Sequence, residues 1–297
     1  MNQRSKVAIV ILNYNTWELT IEMVKQLHET EIVNSSMKIV VVDNHSTNDS
    51  VRNISTWIEK NGGKEILIKN DKNAGYAAGN NVGIRWAVQK GYEYSWICNN
   101  DLILCDTNVL KNMVSVLENE PSVAAVSPRV IDFETRRELN RNLKRLSVWD
   151  MSLGNFIRRI NRIVTDQEEI TEGWCECYRP QGCCMLLRNS AMVDVNYMDE
   201  STFLYSEELI LAERFFQKKW KCACALNTRI IHNHGRTVQQ FKKKLEVYKI
   251  RLESGHIYYN YRGFTSFERL LCDVGFTLRY ICEMAKEFAI NRRSKEL

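Results

Sequence analysis

Between Val7 and about residue 126, short runs of aliphatic and β-branched residues alternate with stretches whose apolar positions recur every three or four residues. The runs at 7–12, 38–43, 65–69, 95–99 and 123–126 predict strands, and the periodic stretches at 16–30, 48–60, 77–89 and 107–118 predict helices. Thr16, Asn48 and Thr107 stand where a helix wants a capping side chain. Strand and helix in strict alternation predict repeated βαβ units, hence an α/β, Rossmann-like fold around a mostly parallel central sheet.

The rhythm breaks over residues 130–172, where charge is dense, as in Arg136-Arg137-Glu138 and Arg158-Arg159. That segment predicts an insertion near the mouth of a site. Order returns over 180–234, with an apolar segment, a helix over 207–218 and a strand near 223–226. From about residue 237 the pattern is helical to the end. Two units follow, residues 1–236 and a helical extension, 237–297.

Composition changes this picture little. Of 297 residues, 44% are hydrophobic and 26% charged, with three prolines, which excludes long disordered linkers. A net charge of +5, carried mostly late in the chain, predicts a local anionic contact and no nucleic-acid partner. The ten cysteines fall in cramped pairs, Cys175/Cys177, Cys183/Cys184 and Cys222/Cys224. That spacing suits reduced thiols better than disulfides or a tetrahedral zinc site. The apolar run 7–12 is too short for a signal-peptide core or a membrane span, which predicts a cytoplasmic protein.

Ligands of open parallel sheets bind beyond the carboxyl ends of the strands. Here those ends are polar: Asn13-Tyr14-Asn15 after the first strand, Asp43-Asn44-His45-Ser46 after the second, Asn99-Asn100-Asp101 after the fourth. No glycine-rich phosphate loop or dinucleotide fingerprint is present, so a diphosphate here needs a metal ion with oxygen and imidazole ligands.

Three segments make a resemblance specific: 10–15, ending in Asn13-Tyr14-Asn15; 41–50, with Asp43-Asn44-His45-Ser46; and 73–83, Asn73-Ala74-Gly75-Tyr76-Ala77-Ala78-Gly79-Asn80-Asn81-Val82-Gly83. Cys98-Asn99-Asn100-Asp101, Gln181-Gly182-Cys183-Cys184-Met185-Leu186, Phe203-Leu204-Tyr205-Ser206-Glu207-Glu208, Arg214 and His232 follow in order. Over residues 6–237 the chain resembles the family-two glycosyltransferases of the GT-A fold, most of all their bacterial rhamnosyltransferase and galactofuranosyltransferase branch.

The resemblance implies an inverting, metal-dependent transfer from a nucleoside-diphosphate sugar of UDP or dTDP type. The acceptor is a hydroxyl of a glycan or lipid-linked glycan, in bacterial surface polysaccharide synthesis. It implies that Asp43 accepts from the nucleobase, that Asp101 and His232 hold Mg2+ or Mn2+, with His234 in reserve, and that Glu208, or else Glu207, is the catalytic base. Asn13, Tyr14, Asn15, Asn73, Gly75, Asn80, Asn99, Asn100, Gln181 and Gly182 complete its donor-binding set. Asn80 and Asn81 are expected to open a helix where an anion is welcome, and the N-terminus of the 207–218 helix to keep the base carboxylate ionised and fixed in place. Asn99 and Asn100 stand where many relatives carry another acid, and Ile210 where many carry a third. That thinning leaves room for a catalytically silent nucleotide-sugar-binding or scaffold protein, and strand-end chemistry alone also suits a nucleotidyltransferase.

In the tail, Leu270, Leu271, Val274, Leu278, Ile281, Ala285 and Phe288 recur at helical spacing among Arg269, Arg279, Lys286, Arg292 and Arg293. Such a stripe suits core packing, a homo-oligomer contact or peripheral docking at the inner face of a membrane.

Overall fold

The computed structural model describes residues 6–29, 36–139, 141–154, 173–233 and 244–293. Strands β1 (Val7–Asn13), β2 (Met37–Asp43), β3 (Ile66–Lys69), β4 (Tyr94–Cys98), β5 (Leu102–Leu104), β6 (Val123–Asp132), β7 (Trp174–Cys177), β8 (Cys184–Arg188) and β9 (Lys221–His232) make one sheet. Its order is β3, β2, β1, β4, β8, β6, β9, β5, with β7 also paired to β9. β3, β2, β1, β4, β6 and β9 share one direction, and β5, β7 and β8 run against them. The sheet is thus mostly parallel, with its strand order reversing beside β1.

The helices are α1 (Trp17–Glu29), α2 (Ser50–Lys60), α3 (Tyr76–Gln89), α4 (Val109–Asn119), α5 (Asn189–Asp194), α6 (Glu207–Gln217), α7 (Lys244–Arg262) and α8 (Ser266–Arg293). Alternation along β1 sends successive side chains to opposite faces. Val7, Ile9 and Ile11 pack with Met23, Val24 and Leu27 of α1 and Ile54 of α2, whereas Val10 packs with Val82 and Trp86 of α3. Further along the second face, Ile84 of α3 meets Met185 and Leu187 of β8 and Leu211 and Phe215 of α6. Each such fully buried side chain contributes about 1.5–3 kcal/mol, which outweighs the weak helix propensity of β-branched residues in α2 and α4. α3 lies unusually close to the sheet: a Cβ on Gly83 would stand 2.4 Å from Val10 Cγ1.

α7 and α8 dock on the molecule through Tyr258, Tyr259, Phe264 and Cys272, which bury Ile210 of α6 together with Val148 and Met151. A kinked π turn, Asp150–Gly154, lies against α8. Gly275 permits that approach, since a Cβ there would meet the Ser152 carbonyl oxygen at 2.4 Å. The packed side of α8 is therefore not the stripe read from the sequence. Leu270, Val274, Leu278 and Ile281 are exposed, so the stripe does not pack in this chain's own core. Among the described residues no helix is long and apolar enough to cross a membrane.

Several other expectations need correction. α3 begins at Tyr76, so Asn80 and Asn81 lie a turn inside it, both wholly buried. Thr16 directly precedes α1, whereas α2 starts at Ser50, two residues after the expected start at Asn48, which accepts from Ser50 N at 3.0 Å in the turn ahead of it. β9 extends well beyond 223–226, and β6 runs on to Asp132. β5, β7 and β8 were not read as strands. Residues 155–172 of the expected insertion, with Arg158 and Arg159, lie outside the described residues, as do His234 and Thr237. The ten cysteines are unbridged, with Cys175 facing Cys224 and Cys177 facing Cys222 across β7 and β9.

Candidate active site

The carboxyl ends of β1, β2 and β4 open onto a cavity of about 320 Å3, whose lining is completed by residues 181–183, 203–205, 207 and 208 and by α7. That volume suits a nucleotide-sized ligand. Tyr14, Asn73, Gly75, Asn99, Asn100, Asp101, Gln181, Gly182, Glu207, Glu208 and His232 line it, as expected of them; Asn13, Asn15, Asp43 and Asn80 do not.

The absent ones form a supporting layer. Asp43 is 1% exposed. Its Oδ1 accepts from Asn13 Nδ2 at 2.7 Å and from Ser46 Oγ at 2.6 Å, and its Oδ2 from Ser46 N at 2.9 Å. Asn13 in turn accepts from Thr20 Oγ1 at 2.8 Å. Asn15, at φ 58°, accepts from Thr47 N and donates to Thr47 Oγ1. Asn80 donates to Tyr76 O inside α3. Buried polar groups are stable only when so satisfied, and this layer locks the β1 and β2 ends together.

In front of Asp43 the cavity meets Asn44, which the sequence reading passed over. Asn44 donates to Asn73 Oδ1 at 2.8 Å and to Gly75 O at 3.1 Å, and accepts from Asn70 Nδ2 at 3.0 Å. Gly75 has φ +98°, and a Cβ there would lie 2.3 Å from Phe203 O, which accepts from Tyr76 N. Glycine is required on both counts. The only available sign of Asn44 was its position one residue past a strand end.

At the β4 end, Asn100 is turned inward, donating to Thr16 Oγ1 and Thr20 Oγ1 on the α1 side. Asn99 accepts from Tyr76 Oη at 2.8 Å. Burial, and then the nearby Glu207, pushes the Tyr76 phenol well up, so it is a neutral donor. Asp101 reaches His232, its Oδ1 standing 3.1 Å from the imidazole Nε2, both side chains being largely buried. Pairing of β5 with β9 creates this meeting, because Leu102 is in register with His232. Among the described residues no three His, Cys, Asp or Glu side chains converge on one metal position. The described residues therefore offer a cation one carboxylate and one imidazole, a donor set that suits Mn2+ or Mg2+ when a diphosphate and water complete the shell.

On the other side of the cavity, Tyr205 and Ser206 both hold left-handed backbone, φ 72° and 64°, directly ahead of α6. Two consecutive non-glycine residues in this region are strained, a feature that collects at functional sites. The turn is pinned where Leu204 O accepts from Ser254 Oγ of α7 at 2.8 Å, and Arg251 stacks 4.4 Å over the Tyr205 ring. It delivers Glu207 and Glu208 to the cavity. Glu208 Oε1 accepts from Arg179 Nη1 at 2.6 Å. Glu207 is 5% exposed, and burial, then the charge of Glu208, raises its carboxyl to about 8. At Glu207 burial outweighs the helix terminus: a terminus offers about 0.3–2 kcal/mol, while burial shifts of several units exceed that. Val247 and Ile250 of α7, with Leu139, supply apolar lining that the motifs did not point to, beside Phe203, which heads the motif at 203–208.

The family described as Glycosyl transferase family 2 matches residues 8–192. The low-salt glycan biosynthesis hexosyltransferase Agl10 of Haloferax volcanii is 23% identical over 246 residues, 82% of this chain and 72% of that protein. Among solved structures, the mannosyltransferase PcManGT from Pyrobaculum calidifontis, in complex with GDP-Man and Mn2+, superposes with a TM-score of 0.61 at 16% identity, over 94% of this chain and 72% of that one. GalNAc-T7 with UDP, GalNAc and Mn2+ gives a TM-score of 0.63 at 13% identity, over 88% of this chain and 48% of that one. S. aureus TarS 1-349 in complex with UDP gives 0.54 at 12% identity, over 86% of this chain and 66% of that one. These structural likenesses are likenesses of fold.

Proposed function

The chain belongs to glycosyl transferase family 2, and from that premise we propose that it moves a sugar from a nucleoside-diphosphate sugar to an acceptor hydroxyl in one inverting displacement. The observation that carries this reading is the placement of the Asp101–His232 pair and the Glu207–Glu208 pair on one cavity. In the proposal Asn44 and Tyr14 meet the nucleobase, while Asp43 acts one layer back by fixing the strand ends that present them. Asp101 and His232 hold Mn2+ or Mg2+. When bound, that ion neutralises charge on the departing diphosphate. Two of the similar structures are Mn2+ complexes with nucleotide ligands, which supports the reading; their nucleotides carry guanine in one and uracil in the other.

Glu208 removes the acceptor proton, within hydrogen-bond reach of the hydroxyl as it attacks the anomeric carbon. Glu207, buried beside it with its carboxyl raised, keeps its proton at neutral pH. Gly182 leaves the space around Glu208 open, since a Cβ there would stand 3.6 Å from its carboxyl carbon. The strained 205–206 turn holds these groups before substrate arrives, which is where positioning contributes most to rate. The acceptor, in this proposal a glycan or lipid-linked glycan, enters along Phe203, Val247 and Ile250.

The test is nucleoside diphosphate release from UDP-, dTDP- and GDP-sugars with Mn2+, Mg2+ or chelator, comparing wild type with Asp101→Ala. Release from one donor class that chelator abolishes, and that Asp101→Ala lowers by about 100-fold or more, is the expected result. Metal-independent release, or release untouched by Asp101→Ala, would sink the assignment.

A further inference from the structure

We infer that Arg179 decides which of two adjacent glutamates carries the proton, holding Glu208 as the charged carboxylate and leaving Glu207 neutral. For its turnover arm this rests on the function proposed above; its stability arm does not.

Two carboxylates that open the same helix into a buried cavity cannot both ionise cheaply. The structure breaks the symmetry between them. Glu208 meets the guanidinium of Arg179 at 2.6 Å, each side chain being 22% exposed. Glu207 is nearly sealed, and its Oε2 has no hydrogen-bond partner among the described residues. Among the described residues the other groups facing the pair carry no positive charge: Tyr76 from α3 and Cys183 ahead of β8 are neutral, and α7 presents Val247 and Ile250, its Arg251 being stacked on Tyr205. Asp101 and His232 line the same cavity and are paired with each other, and the Asp101 charge acts beside that of Glu208 on Tyr76 and Cys183. The raised Glu207 carboxyl agrees with this division.

Arg179 is also held in place before any ligand binds. Tyr178 before it donates to Glu213 Oε2 at 2.6 Å, and its backbone N–H donates to Asn142 O at 2.9 Å. Gly182 after it accepts from Tyr76 Oη at 2.8 Å. A guanidinium at the centre of a segment fixed on both sides is pre-organised for its partner. Arg179 touches Glu208 and is not part of the cavity lining, so it is a positioning residue.

The experiment compares wild type, Arg179→Ala, Arg179→Lys and the double variant Arg179→Ala/Glu207→Gln. Thermal midpoints at pH 5.5 and 8.5 form the first arm. Without the cation the buried pair keeps two carboxyls and no countercharge, so ionising the pair costs the folded state more and stability falls as pH rises. The Tm loss in Arg179→Ala should be several-fold greater at pH 8.5 than at pH 5.5, largely relieved by Glu207→Gln and partly by lysine. Equal losses at both pH values, as for a purely structural arginine, would overturn the proposal. The second arm follows nucleoside diphosphate release from whichever nucleotide sugar wild type turns over. The acid limb of its pH profile should move up by about one unit or more in Arg179→Ala, giving about a tenfold loss below the limb and a retained plateau above it. An unmoved limb would overturn the proposal. If wild type turns over no donor, the proposed function fails, and the stability arm still decides this one.

Discussion

Glu207 heads α6 with its carboxyl in the cavity lining, and burial, followed by the charge of Glu208, raises it to about 8. The sign of the linkage follows. Between the unfolded value near 4.5 and the folded value near 8 the folded chain binds one more proton than the unfolded chain, so this group's contribution to stability is full at low pH and is lost as pH rises through that window. Glu207→Gln keeps the shape and removes the charge. Its Tm should exceed that of wild type at pH 8.5 and match it near pH 4.5, as scanning calorimetry would show; a variant less stable at both would mean the native carboxyl is ionised and paired. Gly75 sets a second test at this scale. Gly75→Ala puts a methyl 2.3 Å from the backbone oxygen of Phe203 in a left-handed conformation. Something must move, and the neighbour is main chain, so a loss of more than about 1 kcal/mol in urea titrations is expected, with disturbance of the turn that presents Glu207. Residue by residue, the sequence marked the strand ends well but could not separate the cavity face from the layer behind it. Asp43 and Asn44 are consecutive polar residues with the same turn chemistry and both are held by hydrogen bonds, Asp43 by Asn13 and Ser46 and Asn44 by Asn70, Asn73 and Gly75, so only the fold shows that Asn44 is the one lining the cavity.

Elements with a clear period were legible and those without one were not. α1, α2 and α4 each bury one stripe against the sheet, and their expected limits fall within two residues of those observed. β8, by contrast, is buried along almost its whole length, so it shows no alternation and reads equally as part of a helix. β5 spans three residues and exists because β9 pairs with it. The contact that joins α6 to the rest of the chain was equally hidden, since it needs four distant segments. Glu213 is 1% exposed, and Arg145 binds both of its oxygens while Tyr178 donates to Oε2. Arg262 of α7 stands 3.8 Å from Oε2 and also donates to Leu146 O. Glu213→Gln leaves Arg262, whose side chain is 9% exposed, without its countercharge. Removing one partner of a buried pair costs about 3–5 kcal/mol; Arg145 is about one-third exposed and can turn to water, so the lower end, about 3 kcal/mol, is expected in equilibrium unfolding. A loss under about 1 kcal/mol would show that the cluster is solvated like a surface pair.

At the scale of the molecule, the question is whether α7 belongs to the catalytic body or to a separate extension beginning near residue 237. The family match ends at residue 192, ahead of Glu207, Glu208 and His232 and ahead of the two α7 residues that line the cavity. Ser254 also ties α7 to the turn before α6, and Tyr258 is fully buried against its neighbours. A ligand in that cavity would therefore touch both parts at once. Binding to the native state lowers the population of every opened form that breaks the site, by about 2.7 kcal/mol at a hundred times Kd. Lys249 and Arg251 put trypsin sites on the exposed side of α7, where cleavage requires local opening. Adding a nucleoside diphosphate with Mn2+ at saturating concentration should therefore slow tryptic cleavage at Lys249 and Arg251 by about tenfold or more, read by mass spectrometry of the fragments, and should leave it unchanged in Asp101→Ala. An extension that opens independently of the cavity would instead be cut at the same rate with and without nucleotide, even as the nucleotide raised the Tm of the remainder.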